Sequence, residues 1–295
     1  SNDFEKIRSL CLTGGVPKYI EEFSGKQSLR ENTQRLFFSK GGVLFEDFDR
    51  IFNDIFLKKS DTYRAIVETL VEGNKSISEI AKSLKVGRGG SLSKYLRDLV
   101  ISGFLAENSV FLPGGRKNKT TYFRIKDNYI RFYLKYIFPK KTQIENGWSP
   151  KGCIEALPGC ESILCLQFEN CILNNLKDVF RALHIDPSRV KSASPHIQTK
   201  NAHNKGACQI DLLIEVEGYE LILCEIKLRA LISASVIKEI DRKAKILKRP
   251  RHYSLRTALI YFGQLANSDL FEEKINYVIS AEDLIAIGGS SGEST

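Results

Sequence analysis

Residues 209–227 read QIDLLIEVEGYELILCEIK. Gln209–Val216 is a buried strand by its apolar run, Glu217-Gly218-Tyr219 is a hairpin turn, and Leu221–Lys227 is the returning strand. Alternation in the second strand places Leu221, Leu223, Glu225 and Lys227 on one face, with Ile222, Cys224 and Ile226 on the other. A strand apolar on both faces is central, so Glu225 and Lys227 project from its end into a partly buried place. Asp211 lies in the neighbouring strand. Two carboxylates and an ammonium converging there are costly unless a cation offsets their desolvation. Mg2+, or Mn2+ in its place, prefers hard oxygens from one or two carboxylates and keeps several waters. Asp211 and Glu225 are the metal ligands on this reading. Lys227 then orients or deprotonates a water for in-line attack on a phosphodiester. The alternative is a hairpin with one ordinary Glu–Lys pair, because an acid followed by E-x-K arises often by chance. Glu169 on a preceding helix and the strand–turn–strand–helix order raise the specificity.

Residues 161–285 alternate helix and strand around this hairpin. Leu164, Phe168, Cys171, Ile172 and Leu176 mark the helix that carries Glu169. A polar stretch with Pro195-His196 and His203-Asn204-Lys205-Gly206 follows it. Val236–Leu247 reads as a helix and Thr257–Phe262 as a strand. On that helix Lys238, Arg242, Lys243 and Lys245 form a basic row, which is either a DNA contact or a solvated face.

Upstream, residues 60–125 read as a winged helix. Tyr63, Ile66, Val67 and Leu70 mark a first helix, stopped at Gly73-Asn74. Ser76 with Glu79 is a capping box for a second. Ser91 or Ser93 caps a third, with Leu92, Tyr95, Leu96 and Leu99 inward and Lys94, Arg97 and Asp98 outward. Phe104–Ala106 and Thr121–Ile125 are strands flanking a basic wing tip, Pro113–Lys119. Such a fold puts its third helix in a major groove and its wing on phosphates. The DNA-binding candidates are Arg88, Lys94, Arg97, Arg116, Lys117 and Lys119. Winged helices also serve as protein-interaction modules, and that reading stays open.

Charge supports a polyanionic partner. The net charge is +9, yet residues 74–141 carry fifteen Lys/Arg against four Asp/Glu, while residues 1–60 are net +1 and 155–285 are neutral. Nucleic acid, double-stranded DNA above all, is the partner expected for such a block. Residues 1–59 read as helices, with Phe45, Phe48, Ile51, Phe52, Ile55 and Phe56 as a core stripe. Residues 126–160 form an aromatic-rich connector, 161–286 the α/β domain, and 287–295 a mobile polar tail. Seven cysteines, an odd number with no close pairs for a zinc knuckle, point to free thiols in a reducing cytoplasm. No apolar run is long enough to span a membrane, and no signal peptide is expected.

The stretch Thr13-Gly14-Gly15-Val16-Pro17-Lys18-Tyr19 resembles the lid-helix signature of archaeal and bacterial AAA+ ATPases of the STAND-like, MNS group. The winged helix, the segment Tyr122–Tyr133 and the 209–227 hairpin follow in the order that group uses. The C-terminal part is similar to a domain of the PD-(D/E)XK nuclease superfamily. The resemblance implies a multi-domain α+β chain: a helical lid remnant, a winged helix-turn-helix and an α/β restriction-endonuclease-like domain. It aligns Asp211, Glu225 and Lys227 with the D…E-x-K positions and Glu169 with a helical acid, with Ile210 where the superfamily name has Pro. No G-x-x-x-x-G-K-[ST] occurs, so ATP enters only through an ATPase domain absent from this chain, as does homo-oligomerisation. Three functions follow: a DNA-binding, Mg-dependent DNA-cleaving module; a non-catalytic nucleic-acid module with a nuclease-like scaffold; or a regulatory tail with a protein partner.

Overall fold

The computed structural model describes residues 3–56, 59–87, 89–114, 116–148, 154–199 and 206–289 of the 295. It divides into two units, Ser1–Glu107 with Thr121–Cys171, and Asn108–Thr120 with Ile172–Thr295.

The first unit opens with α1 (Asp3–Thr13), α2 (Pro17–Glu21), α3 (Leu29–Phe37) and α4 (Val43–Phe56). A full Ser28–Glu31 capping box starts α3. Phe45, Phe48, Phe52 and Phe56 of α4 are buried, as their spacing implies, whereas Ile55 faces solvent. Phe48 stacks on Tyr133 with centroids 4.2 Å apart, and Phe56 on Tyr63 at 4.0 Å.

Next come α5 (Ser60–Glu68), β1 (Lys75–Ser76), α6 (Ile77–Leu84), α7 (Gly90–Ile101), β2 (Leu105–Leu112) and β3 (Arg116–Ile125). The strand order is β1-β3-β2, with Lys75 opposite Phe123 and Ser76 opposite Tyr122. A helix, a short strand, two helices and a hairpin thus follow one another, the order of a winged helix. The Ser76–Glu79 capping box forms as read from the sequence. Helix α7 differs: its N-cap is Gly89, which has no side chain to bond, so the helix begins before either serine. The hairpin strands are also longer than expected. Pro113 and Gly114, the latter at φ 91°, lie in the turn, and β3 starts at Arg116, within what reads as loop.

The unit closes with α8 (Asn128–Phe132), which runs on through a π-helical turn at Tyr133–Ile137, then α9 (Lys141–Glu145) and most of α10 (Cys160–Asn174). Arg131 is buried and donates to the carbonyls of Leu70, Val71 and Ile125. Asn170 donates to Asn128 Oδ1 at 2.7 Å and Gln167 to the Asn128 carbonyl at 2.7 Å, joining α10 to α8. Most of these buried polar groups find partners in one another or in backbone carbonyls, while Arg131 Nε and Gln167 Oε1 have none among the described residues.

The second unit contains α11 (Leu176–Ala182), β4 (Val190–Gln198), β5 (Cys208–Val216), β6 (Glu220–Ile232), α12 (Ser235–Ile246), β7 (Ser254–Leu265), α13 (Ser268–Lys274), β8 (Tyr277–Ser280) and α14 (Ala281–Gly289). The sheet order is β4-β5-β6-β7-β8. The hairpin β5–β6 and its neighbour β4 are antiparallel; β7 and β8 continue parallel to β6. Gly218 at φ 87° and Tyr219 at φ 62° give the turn two consecutive positive φ angles, the conformation that matches strand twist. A parallel β6–β7 pair needs a crossover, and α12 supplies it. Its Val236, Ile237 and Ile240 pack with Leu213, Leu221, Leu223 and Leu259.

Strand β4 was not legible. Its residues, VKSASPHIQ, read as a polar stretch, yet they form the sheet's edge. Pro195 falls at an irregularity between Ser194 and His196, where no ladder donor is lost. Gly263 marks another irregularity. A Cβ there would collide with the Arg229 carbonyl, where β6 bulges between Leu228 and Leu231. The Asn108–Thr120 tip packs within this unit: Ser194 Oγ donates to the Ser109 carbonyl at 3.2 Å, and Phe111 faces His196. The expected tail from 287 starts inside α14, and residues 290–295 lie outside those described. Among the described residues, no helix is long and apolar enough to cross a membrane.

Candidate functional site

The β5–β6 ladder ends at the pair Leu212–Cys224. Beyond it, Asp211 Oδ2 accepts the backbone N–H of Ile226 at 2.9 Å, so a side chain continues the ladder where the backbones part. The row Leu221, Leu223, Glu225, Lys227 faces α12. Its first two members pack on that helix, and its last two meet charged groups from it.

Glu225 is 1% exposed. Lys227 Nζ donates to its Oε1 at 2.6 Å. Lys243 Nζ, from α12, donates to Oε1 at 2.8 Å and Oε2 at 2.6 Å. Glu239, one turn before Lys243, is half-buried and takes both lysines, Lys227 at 3.3 Å and Lys243 at 3.2 Å. Burial, then the charge of Asp211, pushes the Glu225 carboxyl up to about 7 against the pull of both ammoniums. Burial works to lower both lysines. The surrounding carboxylates win, and each ends above its usual range. Lys227 is thus held as an ammonium, a hydrogen-bond donor rather than a base.

Asp211, Glu225 and Lys227 therefore come together in one cluster, with Lys243 and Glu239 added. Both additions were missed. Lys243 read as one of a basic row, either a DNA contact or a solvated face, but it is buried, while Lys238, Arg242 and Lys245 are exposed. The signal was present: positions 236, 240, 243 and 247 are a helical core stripe, and Lys243 occupies its third place. Glu169 lies on the α10 portion of the first unit, where its charge acts on Arg124 and Arg131.

The donor set bears on a metal. Among the described residues no three His, Cys, Asp or Glu side chains gather for one. The carboxylates of Asp211 and Glu225 suit an ion that keeps most of its waters, as magnesium does. The fit holds on condition that Glu225 releases an ammonium.

On α7, Lys94 and Arg97 are exposed on the face opposite Leu92, Leu96 and Leu99. Asp98, expected outward, is half-buried and accepts the Tyr63 hydroxyl at 2.6 Å. Arg88 lies outside the described residues. Arg116, Lys117 and Lys119 fall in β3, and their side chains lie outside the description.

No family model matches the chain. Over 86 residues it is 35% identical to the uncharacterized protein MJECL04 of Methanocaldococcus jannaschii; the match covers 29% of this chain and 19% of that protein. The chain thus spans about a fifth of the length of the curated relative it matches. Among solved structures, protein VC1899 from Vibrio cholerae aligns over 88% of this chain and 55% of its own, at 12% identity and a TM-score of 0.34. The adhesin competence repressor AdcR from Streptococcus pyogenes aligns over 48% of this chain and 96% of its own, at 18% identity and a TM-score of 0.23. Neither likeness is close enough to establish a shared fold.

Proposed function

We propose that the chain binds double-stranded DNA through its winged helix and carries a Mg2+- or Mn2+-dependent phosphodiester-cleaving site in a nuclease-like second unit. The observation that carries this reading is the juxtaposition of Asp211, Glu225 and Lys227 where the β5–β6 ladder ends. Asp211 and Glu225 would hold the ion, whose chemistry there would be to polarise the phosphate and activate a water. Lys227 donates to the attacking water or the phosphate oxygens. The water oxygen forms the new P–O bond, the bridging P–O bond breaks, the leaving oxygen gains a proton from solvent, and the attacking water loses one to solvent. Lys94 and Arg97 lie on the α7 face that would enter a major groove. In keeping with its resemblance to the C-terminal portion of an AAA+ ATPase, ATP hydrolysis and homo-oligomerisation would belong to another domain of a longer cytoplasmic protein.

A second reading is favoured by Lys243. An ammonium bonded to both oxygens of Glu225 makes the cluster self-sufficient, as an ionic latch in an inert scaffold would be. Incubation with supercoiled plasmid and Mg2+ or Mn2+, beside the Glu225→Ala/Lys227→Ala variant, separates them. Nicking by the wild-type chain alone is the expected result. A gel shift with no nicking by either protein would leave the DNA-binding scaffold.

A further inference from the structure

We propose that Lys243 is the resident cation of the Asp211–Glu225 pair, and that a divalent ion binds there by displacing its ammonium onto Glu239. The inference rests on the metal-binding reading above and names how that site is gated.

The placement of Lys243 is the first argument. Its neighbours in the α12 stripe, Val236, Ile240 and Leu247, are core residues, and an apolar side chain would continue them. A lysine there is buried for a reason, and its Nζ meets both oxygens of Glu225. A buried carboxylate without a counter-charge is strongly unfavourable. Lys243 and Lys227 together keep Glu225 satisfied when no ion is present, and it is Lys243 that bonds to Oε2 as well as Oε1.

The second argument is that the displaced ammonium has somewhere to go. Glu239 lies on the same helix, i to i+4 from Lys243, and already touches it at 3.2 Å. It is also the more exposed of the two partners, 38% against 1% for Glu225. A shift of Lys243 towards Glu239 keeps an ion pair, moves the ammonium towards solvent and leaves Glu225 open to a metal. Lys227 shares the same alternative partner at 3.3 Å. Neither lysine need be left buried without a carboxylate when the ion enters.

The third argument is charge. Among the described residues the cluster holds three carboxylates, Asp211, Glu225 and Glu239, and two ammoniums, Lys227 and Lys243. Without Lys243 those carboxylates outnumber the ammonium three to one, which favours a cation. Lys243 thus lowers metal affinity, both by occupying Glu225 and by like-charge repulsion.

The test is titration of the full chain with Mn2+ alone, followed by calorimetry and by the loss of the free-ion paramagnetic resonance signal. Lys243→Met, which keeps length and removes the charge, should bind Mn2+ more tightly than wild type by about tenfold or more, because a like charge is removed beside the ligand oxygens. Glu239→Gln should bind it several-fold more weakly, since Lys243 then has no other carboxylate. In the Lys243→Met background Glu239→Gln should have little further effect. Equal or weaker binding by a folded Lys243→Met overturns the proposal. So does an equal Glu239→Gln effect with and without Lys243, which would make Glu239 a mere distant charge. If Lys243→Met does not fold, Glu239→Gln alone decides: unchanged affinity overturns the displacement. If no variant and no wild-type chain binds Mn2+, the metal reading fails and this inference with it. Binding that is insensitive to Lys243 and Glu239 removes this inference only.

Discussion

Lys243 Nζ stands 2.6 Å from Glu225 Oε2 and 2.8 Å from Oε1, bridging α12 to the centre of a mixed sheet. Both partners are nearly inaccessible to water, at 7% and 1% exposure, so the pair is not a surface ion pair of negligible worth. Removing one partner of a buried pair costs more than removing both, because the survivor is stranded. In metal-free buffer, Lys243→Met should destabilise the second unit, by less than the ~3–5 kcal/mol of a fully stranded charge because Lys227 still donates to Glu225. The Lys243→Met/Glu225→Gln double variant should recover part of that loss. Urea unfolding of the single and double variants checks this. A double variant as unstable as the sum of the singles would mean that the two side chains act independently.

Asp211 has two separable roles. Its Oδ2 accepts the Ile226 N–H at 2.9 Å, and its charge belongs to the proposed metal site. Asp211→Asn keeps an acceptor oxygen and loses the charge; Asp211→Ala loses both. Thermal unfolding should place Asp211→Asn near wild type and Asp211→Ala lower by ~1–2 kcal/mol, the cost of one unsatisfied buried N–H. Both should lose Mn2+ binding. Wild-type Mn2+ affinity in Asp211→Asn would remove Asp211 from the ligand set.

The hairpin was readable because two local signals agreed: apolar runs on either side, and a glycine in Glu217-Gly218-Tyr219, where the turn takes positive φ angles. The capping box at Ser76 and the aromatic stripe of α4 were readable for the same reason, since each depends on residues three or four apart. Strand β4 was not, because an edge strand holding Pro195 and three serines or alanines in a row shows no alternation, and only its pairing with β5 defines it. Lys243 was misplaced because a lysine was read by its charge alone and not by its position in the 236–240–243–247 stripe. Its partner Glu225 is eighteen residues away, and no local rule connects them. The contacts of Arg131 with Val71, and of Asn128 with Gln167 and Asn170, were missed likewise, since each joins segments distant in sequence.

On α7, Lys94 and Arg97 present their charges from the face opposite the core residues Leu92, Leu96 and Leu99. If that face meets DNA phosphates, Lys94→Ala/Arg97→Ala should weaken binding to a duplex by about tenfold or more at low salt and reduce the salt slope by about two. Fluorescence anisotropy across a salt series measures both quantities. The substitutions should leave the unfolding temperature unchanged, because neither side chain is buried. Unaltered affinity and slope would move the DNA contact away from α7.

His196 gives the fold a pH dependence of predictable sign. It is buried on β4 against Phe111, with a hydrogen bond to the Phe111 backbone and Nδ1 without a partner. Burial pulls its pKa below the ordinary 6.5, and the Phe111 bond only partly opposes this. The folded state therefore refuses a proton that the unfolded state accepts below about 6.5. Stability from the neutral imidazole is complete above that value and is lost as the pH falls through it towards the folded-state pKa. His196→Gln cannot titrate. Urea midpoints at pH 7.5 and pH 5.5 should fall further for the wild-type chain than for the variant, the comparison cancelling every other titrating group. Parallel losses in the two proteins would show that His196 is protonated in the fold as readily as in the unfolded chain.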